Sequence, residues 1–244
     1  MNKNFIFLNE VDSTNNYANQ LVLTKAAEEG TVVLAQFQKS GKGQKGNSWE
    51  SEAGKNLLAS VILRPNFLKA AGKFYVSKII SLSIAEILKP ITKDITIKWP
   101  NDIYAGNRKI AGILIENSVL GQNIETSIAG IGLNLNQEVF VSGAPNPVSL
   151  KQLTGKEYEI QQFADDLFAV IEKWYGKLQS CKFTEIDTIY HESLFRMKKW
   201  ANYSAEGKTF EARMIGTGQF GQLQLEHHDG KIAEYFFKEV EFVI

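Results

Sequence analysis

Three short stretches of this chain hold residue types at spacings that suit chemistry. The first, Gly41-Lys-Gly-Gln-Lys-Gly-Asn-Ser48, sets Lys42 and Lys45 among glycines, with Lys39 just upstream and no acid from Lys39 to Asn47. Ammonium groups on a backbone that glycine allows close to a ligand suit the binding of an anion. The octet also fits G-x-G-x-x-G at Gly41, Gly43 and Gly46. A dinucleotide site needs more: a helix after the loop and an acid about 20 residues on. Here a second strand follows the loop, and no acid stands near residue 66. A P-loop fails because Asn47 stands where the phosphate lysine belongs. The V-A-I-K, H-R-D and D-F-G elements of a protein kinase are absent. Two readings stay open, a solvated hairpin loop and a basic lid that orders over a phosphate.

The second stretch is Ile97-Lys-Trp-Pro-Asn-Asp-Ile103, followed by Arg108-Lys-Ile-Ala-Gly-Ile113. It offers Lys98 and Lys109 as cations on neighbouring strands and Asp102 as a hard oxygen donor for a divalent ion. Alternatively the lysines are solvated strand residues, and Asn101-Asp102 after Pro100 is ordinary turn chemistry. The third stretch, Ser13-Thr14-Asn15, has the residue types of a helix N-cap, which would also hold its hydroxyls rigidly. Trp49 is either a loop anchor or core.

Strands and helices must hold these groups in place. Residues 5–8 suggest a strand, Asp12 and Ser13 helix caps, and the segment after them a helix that stops at Gly30. Strands are expected at 31–37 and 56–63, with a polar loop at 38–55 that carries four of the 19 glycines. An apolar helix over 73–89 ends at Pro90. The period then changes to two, with strands at 95–99, 103–105, 109–117 and 124–136. Gly106 and Asn107 are expected to supply the positive φ values of a tight hairpin. Four successive strands without long helices between them imply an α+β fold with a mixed, mainly antiparallel sheet and helices packed on it. Ser149 caps a short helix ended by Gly155, and an apolar stripe from Ile160 to Leu178 marks a long helix. Another helix is expected over 184–195. From Lys198 the pattern is short alternating strands, a small SH3-like β-barrel. The expected division is a catalytic unit over 1–195 and a β domain over 196–244.

Composition narrows the classes. The 244 residues suit one or two domains, and 44% hydrophobic content supplies a real core. Lys plus Arg and Asp plus Glu are both 27, so the formal charge is zero, which argues against a nucleic-acid coat or a membrane-surface protein. The single cysteine, Cys181, and the three histidines lack the spacing of a disulfide framework or a zinc finger. The apolar run at 5–8 is too short for a signal peptide, and no run reaches the roughly 18 residues of a spanning helix. A cytoplasmic protein is expected.

Taken with Gly130-Ile-Gly-Leu-Asn134, the three stretches in their order and spacing resemble the biotin–protein ligases, also called biotin–[acetyl-CoA-carboxylase] ligases. The resemblance covers about residues 5–136, and the final β module is similar to that family's small C-terminal domain. It implies a class II aminoacyl-tRNA synthetase/biotin synthetase-like fold and a two-step reaction using ATP and Mg²⁺. Biotin is activated as biotinyl-5′-AMP, then passed to a lysine of a biotin carboxyl carrier domain. By the resemblance Ser13, Thr14, Asn15 and Gln38 would bind the ureido ring. Lys42, Gly43, Gln44, Gly112 and Gly132 would also lie along biotin. Lys109 would reach the carboxylate and α-phosphate with Lys98 nearby, these two being the catalytic pair. Lys42, Gln44, Trp49, Lys98, Asn101, Asp102 and Asn134 would contact ATP or the adenylate, and Asp102 would take Mg²⁺.

The family's loop is rich in arginine, whereas this chain has Lys42, Gln44 and Asn47 there; lysine keeps the charge without the fork, and Gln44 loses it. Many relatives carry an N-terminal winged helix, for which the motif at residue 13 leaves no room, so DNA is not an expected partner. Exposed β-edges permit a homodimer without specifying one. The alternatives are a lipoate or octanoate ligase or transferase of related fold, and a non-catalytic binding module.

Overall fold

The computed structural model describes residues 4–44, 46–142 and 146–243. Strands β1 (Asn4–Val11) and β2 (Thr31–Gln38) run parallel, joined by α1 (Thr14–Leu23). Every other neighbouring pair in this sheet is antiparallel: β3 (Leu57–Leu63), then, after α2 (Phe74–Leu88), the meander β4 (Ile95–Lys98), β5 (Asp102–Ala105), β6 (Arg108–Leu120) and β7 (Asn123–Leu133). The seven strands lie in the order β1-β2-β3-β7-β6-β5-β4, which makes β3 and β7 central. All seven residues of β3 are buried, because both faces of the sheet are covered there.

The two faces differ. Against one lies α2, with α3 (Leu150–Thr154), α4 (Ile160–Gln179) and α5 (Phe183–Glu192) completing the helical layer. The α4 stripe Phe163, Leu167, Phe168, Ile171 and Trp174 is buried as its 3.6-residue period requires, each side chain contributing about 1.5–3 kcal/mol. Among the described helices α1 alone lies against the other face, on a small cluster of Ala18, Val33, Ile62 and Ile128. Beyond the start of α1 the sheet on that side is open.

The second sheet comprises β8 (Trp200–Ala205), β9 (Lys208–Thr217), β10 (Leu223–Glu226), β11 (Ile232–Tyr235) and β12 (Glu241–Phe242) in the order β11-β10-β9-β8-β12, antiparallel throughout. Its buried Tyr203, Met214 and Leu225 join the main core. Trp99 Nε1 donates to the Gly221 carbonyl at 2.8 Å, and the Thr217 amide donates to His191 Nε2 at 3.2 Å. Among the described residues no helix is long and apolar enough to cross a membrane.

Four local expectations are corrected. Helix α1 ends at Leu23 and not near Gly30, because Lys25 turns left-handed at φ 56°. Lys25 and Ala26 then donate to Val22 and Leu21, which closes a Schellman motif. Ser13 occupies the N-cap position, but its side chain makes no capping bond; the Gln38 side chain accepts the Thr14 amide at 2.7 Å in its place. In the β5–β6 hairpin only Gly106 has positive φ, 59°, and Asn107 does not. Finally, α5 stops at Glu192 because the following backbone pairs with the outer strand: Ile97 donates to Ser193, and Phe195 donates to Ile97. That pairing covers the β4 edge.

Candidate active site

A cavity of about 800 Å³ opens on the α1 side of the sheet. Its floor is β6 and β7, where Gly112 stands opposite Gly132 and Leu114 opposite Gly130. The glycines here make room for protein side chains. A Cβ on Gly132 would strike the Trp49 indole, one on Gly112 would come within 2.9 Å of the same ring, and one on Gly130 would strike the Asn15 amide. Gly112 and Gly132 therefore seat Trp49 in this structure. Among the described residues Trp49 Nε1 is buried without a hydrogen-bond partner, a donor left at the cavity.

Local irregularity places the lysine. Lys109 and Gly112 are three residues apart, which regular alternation would send to opposite faces. Between Ile103 and Tyr104 the β5–β6 register shifts, so Tyr104 pairs with Lys109 while Ile103 pairs with Ala111. The extra residue, Ile110, lets Lys109 and Gly112 share the cavity wall. The Lys109 backbone is fixed on its far side by bonds with Asn146 and Val148, both 2.9 Å.

One end of the cavity is polar, and its hydrogen-bonding side chains are neutral, with the Lys42 ammonium beside them on Asn16. Ser13, Thr14 and Asn15 are buried there, with Gln38 facing them from the end of β2. The Thr14 amide donates to Gln38 Oε1, and Asn15 Nδ2 donates to Glu116 Oε2 at 2.8 Å. The other end is charged. Lys109 Nζ stands 2.8 Å from Asp102 Oδ1 and 5.7 Å from the centre of a Trp49 ring. Lys98 Nζ lies over the rings of Tyr104 at 5.1 Å and Phe242 at 5.3 Å. Burial holds the Lys98 ammonium below the usual lysine range; Asp102 opposes this and Lys109 adds to it. Among the described residues the cavity is lined by four lysines and two carboxylates, so it favours an anion.

The cavity gathers most of the expected residues. Lys42, Gly43, Gln44, Trp49, Asn101 and Asp102 all line it. Lys42 Nζ donates to Asn16 Oδ1 at 2.7 Å, and the Asn101 side chain donates to the Ile113 carbonyl at 2.6 Å, which braces the turn. Two expected residues lie elsewhere. Lys39, one of the three loop cations, turns to Glu10 at 2.6 Å. Asn134 sits behind the wall, buried, donating to the Val148 carbonyl at 3.2 Å. Lys45 lies outside the described residues. The glycine loop is a small hairpin in which Gly43 donates to the Asn47 carbonyl at 3.0 Å.

Sequence reasoning missed the wall supplied by the β module. Phe237, Lys238, Val240, Glu241 and Phe242 all face the cavity, with Tyr104 behind Lys98. The aromatic, charged run Tyr235-Phe-Phe-Lys-Glu-Val-Glu-Phe242 was its only signal.

The comparisons agree with this architecture. The model of the biotin/lipoate A/B protein ligase family matches residues 7–134. A biotin–[acetyl-CoA-carboxylase] ligase of Paracoccus denitrificans is 32% identical over 73% of this chain and 76% of its own length. The bifunctional ligase/repressor BirA of Bacillus subtilis is 27% identical over 99% of this chain and 74% of its own. Among solved structures, biotin protein ligase from Aquifex aeolicus in complex with biotin and ATP superposes with a TM-score of 0.82 at 25% identity, covering 99% of this chain and 100% of that one. With a family model spanning more than half its length and a relative of this similarity, the chain belongs to the biotin/lipoate A/B protein ligase family.

Proposed function

We propose that the chain is an ATP-dependent ligase that activates biotin and attaches it to a lysine of a biotin carboxyl carrier domain. The observation that carries this is one cavity that holds both the neutral hydrogen-bonding group Ser13, Thr14, Asn15 and Gln38 and the charged group Lys98, Lys109 and Asp102. Biotin has the matching pair, a neutral ureido ring and a carboxylate. A lipoyl ring has neither N–H nor C=O and would offer nothing to the Gln38 amide protons or to the remaining hydroxyl capacity of Ser13 and Thr14, whereas a ureido ring matches both.

In the first step a biotin carboxylate oxygen attacks the α-phosphorus of ATP, the bond to the bridging oxygen breaks, and pyrophosphate leaves. Both reactants are anions, so the cations must hold them together and offset the charge of the transition state. We assign that role to Lys109 and Lys98. Lys42, Gln44, Trp49 and Asn101 are assigned to the nucleotide, and Gly112 and Gly132 to the seat of Trp49 beside biotin. In the second step the acceptor amine attacks the acyl carbon, the bond to AMP breaks, and the amine loses a proton.

Asp102 fits a Mg²⁺ ion, which commonly takes one or two carboxylates and completes its shell with phosphate oxygens and water. Among the described residues no three potential ligands cluster, so the nucleotide would have to bring most of the shell. When bound, the ion neutralises phosphate charge; Asp102 would hold it while releasing Lys109 to the substrate.

We further place the working division at 1–195 and 196–244, supported by the two separate sheets, with the β module completing the nucleotide side of the cavity. The zero formal charge supports a protein acceptor, and not DNA, as the macromolecular partner. The cytoplasm is the proposed site of action, and two copies pairing through an open sheet edge is compatible with it. The first step is tested by biotin-dependent exchange of labelled pyrophosphate into ATP. Exchange that requires biotin supports this reading, and none with biotin present overturns it.

A further inference from the structure

Trp49 is held between two segments. On one flank its amide donates to the Gly41 carbonyl at 2.8 Å, and its indole fills the space above Gly112 and Gly132. On the other flank the next residue, Glu50, reaches the loop that follows β7. Glu50 Oε1 accepts the Val141 amide and Oε2 the Ser142 amide, both at 2.8 Å. Bonds to a carboxylate are the stronger kind, and here each oxygen has its own donor. Burial, the largest single influence, pushes this carboxyl up, yet the Ser142 hydroxyl and the two amides hold it below the usual glutamate range. Gln137, itself buried, completes the attachment. Its Oε1 accepts the Glu52 amide at 2.9 Å and Asn56 Nδ2 at 2.6 Å, while its Nε2 donates to the Val139 carbonyl at 2.8 Å. A backbone N–H only donates and a carbonyl only accepts, so the Gln137 amide has one orientation. Behind it the Leu135 amide donates to Asn56 Oδ1 at 3.1 Å, and the Asn136 amide to the Lys55 carbonyl at 2.8 Å.

We propose that Glu50, which does not line the cavity, is a positioning residue: its carboxylate keeps the Trp49 indole on the floor glycines, with Gln137 orienting the segment to which it is tied. Among the described residues the indole N–H has no partner, and residues 46–48 before it are exposed. The backbone at 49–50 therefore decides where the ring lies. The carboxylate fixes that backbone to a segment rooted in the buried Leu135 and Gln137. This rests on the ligase reading, in which Trp49 meets the nucleotide. A displaced ring costs nucleotide affinity and leaves the Ser13–Asn15 group and Lys109 in place, because Lys109 is backed separately by the buried Val148. Glu50 is only half-buried, so its replacement carries little folding risk.

The test is pyrophosphate exchange on the full chain, with ATP varied at saturating biotin. Glu50→Ala should raise the KM for ATP by about tenfold, with kcat and the calorimetric Kd for biotin each within about twofold. Glu50→Gln keeps one carbonyl oxygen for the two amides and should raise the KM by about threefold. A double-mutant cycle with Trp49→Ala separates positioning from general support. Trp49→Ala should itself raise the KM for ATP, and in that background Glu50→Ala should add less than about twofold, because the ring it places is gone. Near-UV circular dichroism checks folding; if Glu50→Ala is not native, Glu50→Gln takes its place in the cycle. Full multiplication of the two losses, an unchanged KM for ATP, or a loss shared equally by kcat and biotin affinity overturns the positioning role and leaves the ligase reading intact. Absence of biotin-dependent exchange in the wild type overturns that reading and the role with it.

Discussion

The two ends of the cavity are built in opposite ways. At the polar end, Ser13, Thr14, Asn15 and Gln38 are neutral, buried or half-buried, and come from one parallel β1–α1–β2 unit. Their positions are set by hydrogen bonds to neighbouring strands, such as that of Asn15 to Glu116. At the charged end, Lys109 depends on a bulge, Asp102 on the turn after Pro100, and Lys98 on rings from both sheets. On the proposed reading, recognition belongs to a local, prearranged unit, and chemistry to groups that distant segments bring together. Changes at the first end should alter binding, and changes at the second should alter rate.

The largest effect sharpens that division. Lys109→Ala removes a cation facing the charge that develops during adenylation and should cost roughly 10²–10³ in rate, as single electrostatic donors do. Biotin affinity should hold within a few-fold, measured by calorimetry beside pyrophosphate exchange. Comparable losses in both would erase the distinction between the ends. Conversely, Gln38→Ala should weaken biotin by about tenfold with kcat nearly unchanged at saturating biotin, since one hydrogen-bonding partner of the ring is lost.

The junction of the two sheets comes next. Trp99→Phe deletes the donor to the Gly221 carbonyl and should cost about 1–3 kcal/mol in unfolding free energy. Its functional cost should fall on the KM for ATP and spare biotin affinity, because the β module lays Phe242 over Lys98. A rise confined to the biotin Kd would contradict that assignment.

Two smaller effects depend on pH. Burial holds Lys98 below the usual lysine range, with Lys109 adding to this and Asp102 opposing, so its charge disappears earlier as pH rises. The alkaline fall in adenylation rate should move to higher pH in Lys98→Arg, which stays charged. An unmoved limb would remove Lys98 from the rate. Burial, aided by Lys78 and opposed by Asp187, also holds His191 below the ordinary histidine value of about 6.5. The unfolded chain then binds that proton more readily, so stability is full above 6.5 and is lost as pH falls from there toward the lower folded value. His191→Gln should flatten this dependence of Tm, a change of a few degrees at most.

How much of this was legible depends on where the information lies. The α4 stripe, the meander after α2 and the Gly155 helix stop are local patterns, and each stands where the sequence places it. The site motifs were legible as well, and the cavity collects Lys98, Lys109, Asp102 and the Ser13–Asn15 group. Patterns that depend on a distant partner were not. The bulge at Ile110 exists only against β5, and the end of α5 is decided by pairing with Ile97. No local signal tells that Ser13 will leave its capping role to Gln38, or that Phe242 will lie on Lys98. Glycines at 112 and 132 indicated close approach, but the group that approaches them is Trp49.

Acceptor labelling tests the central claim most directly. The purified chain is incubated with Mg·ATP, a biotin carboxyl carrier domain, and either biotin or lipoate, and the acceptor is weighed by intact mass spectrometry. The account predicts an ATP-dependent gain of one biotin that fails in Lys109→Ala, and no gain with lipoate. Labelling by lipoate in place of biotin, or no transfer of either acid, would contradict it.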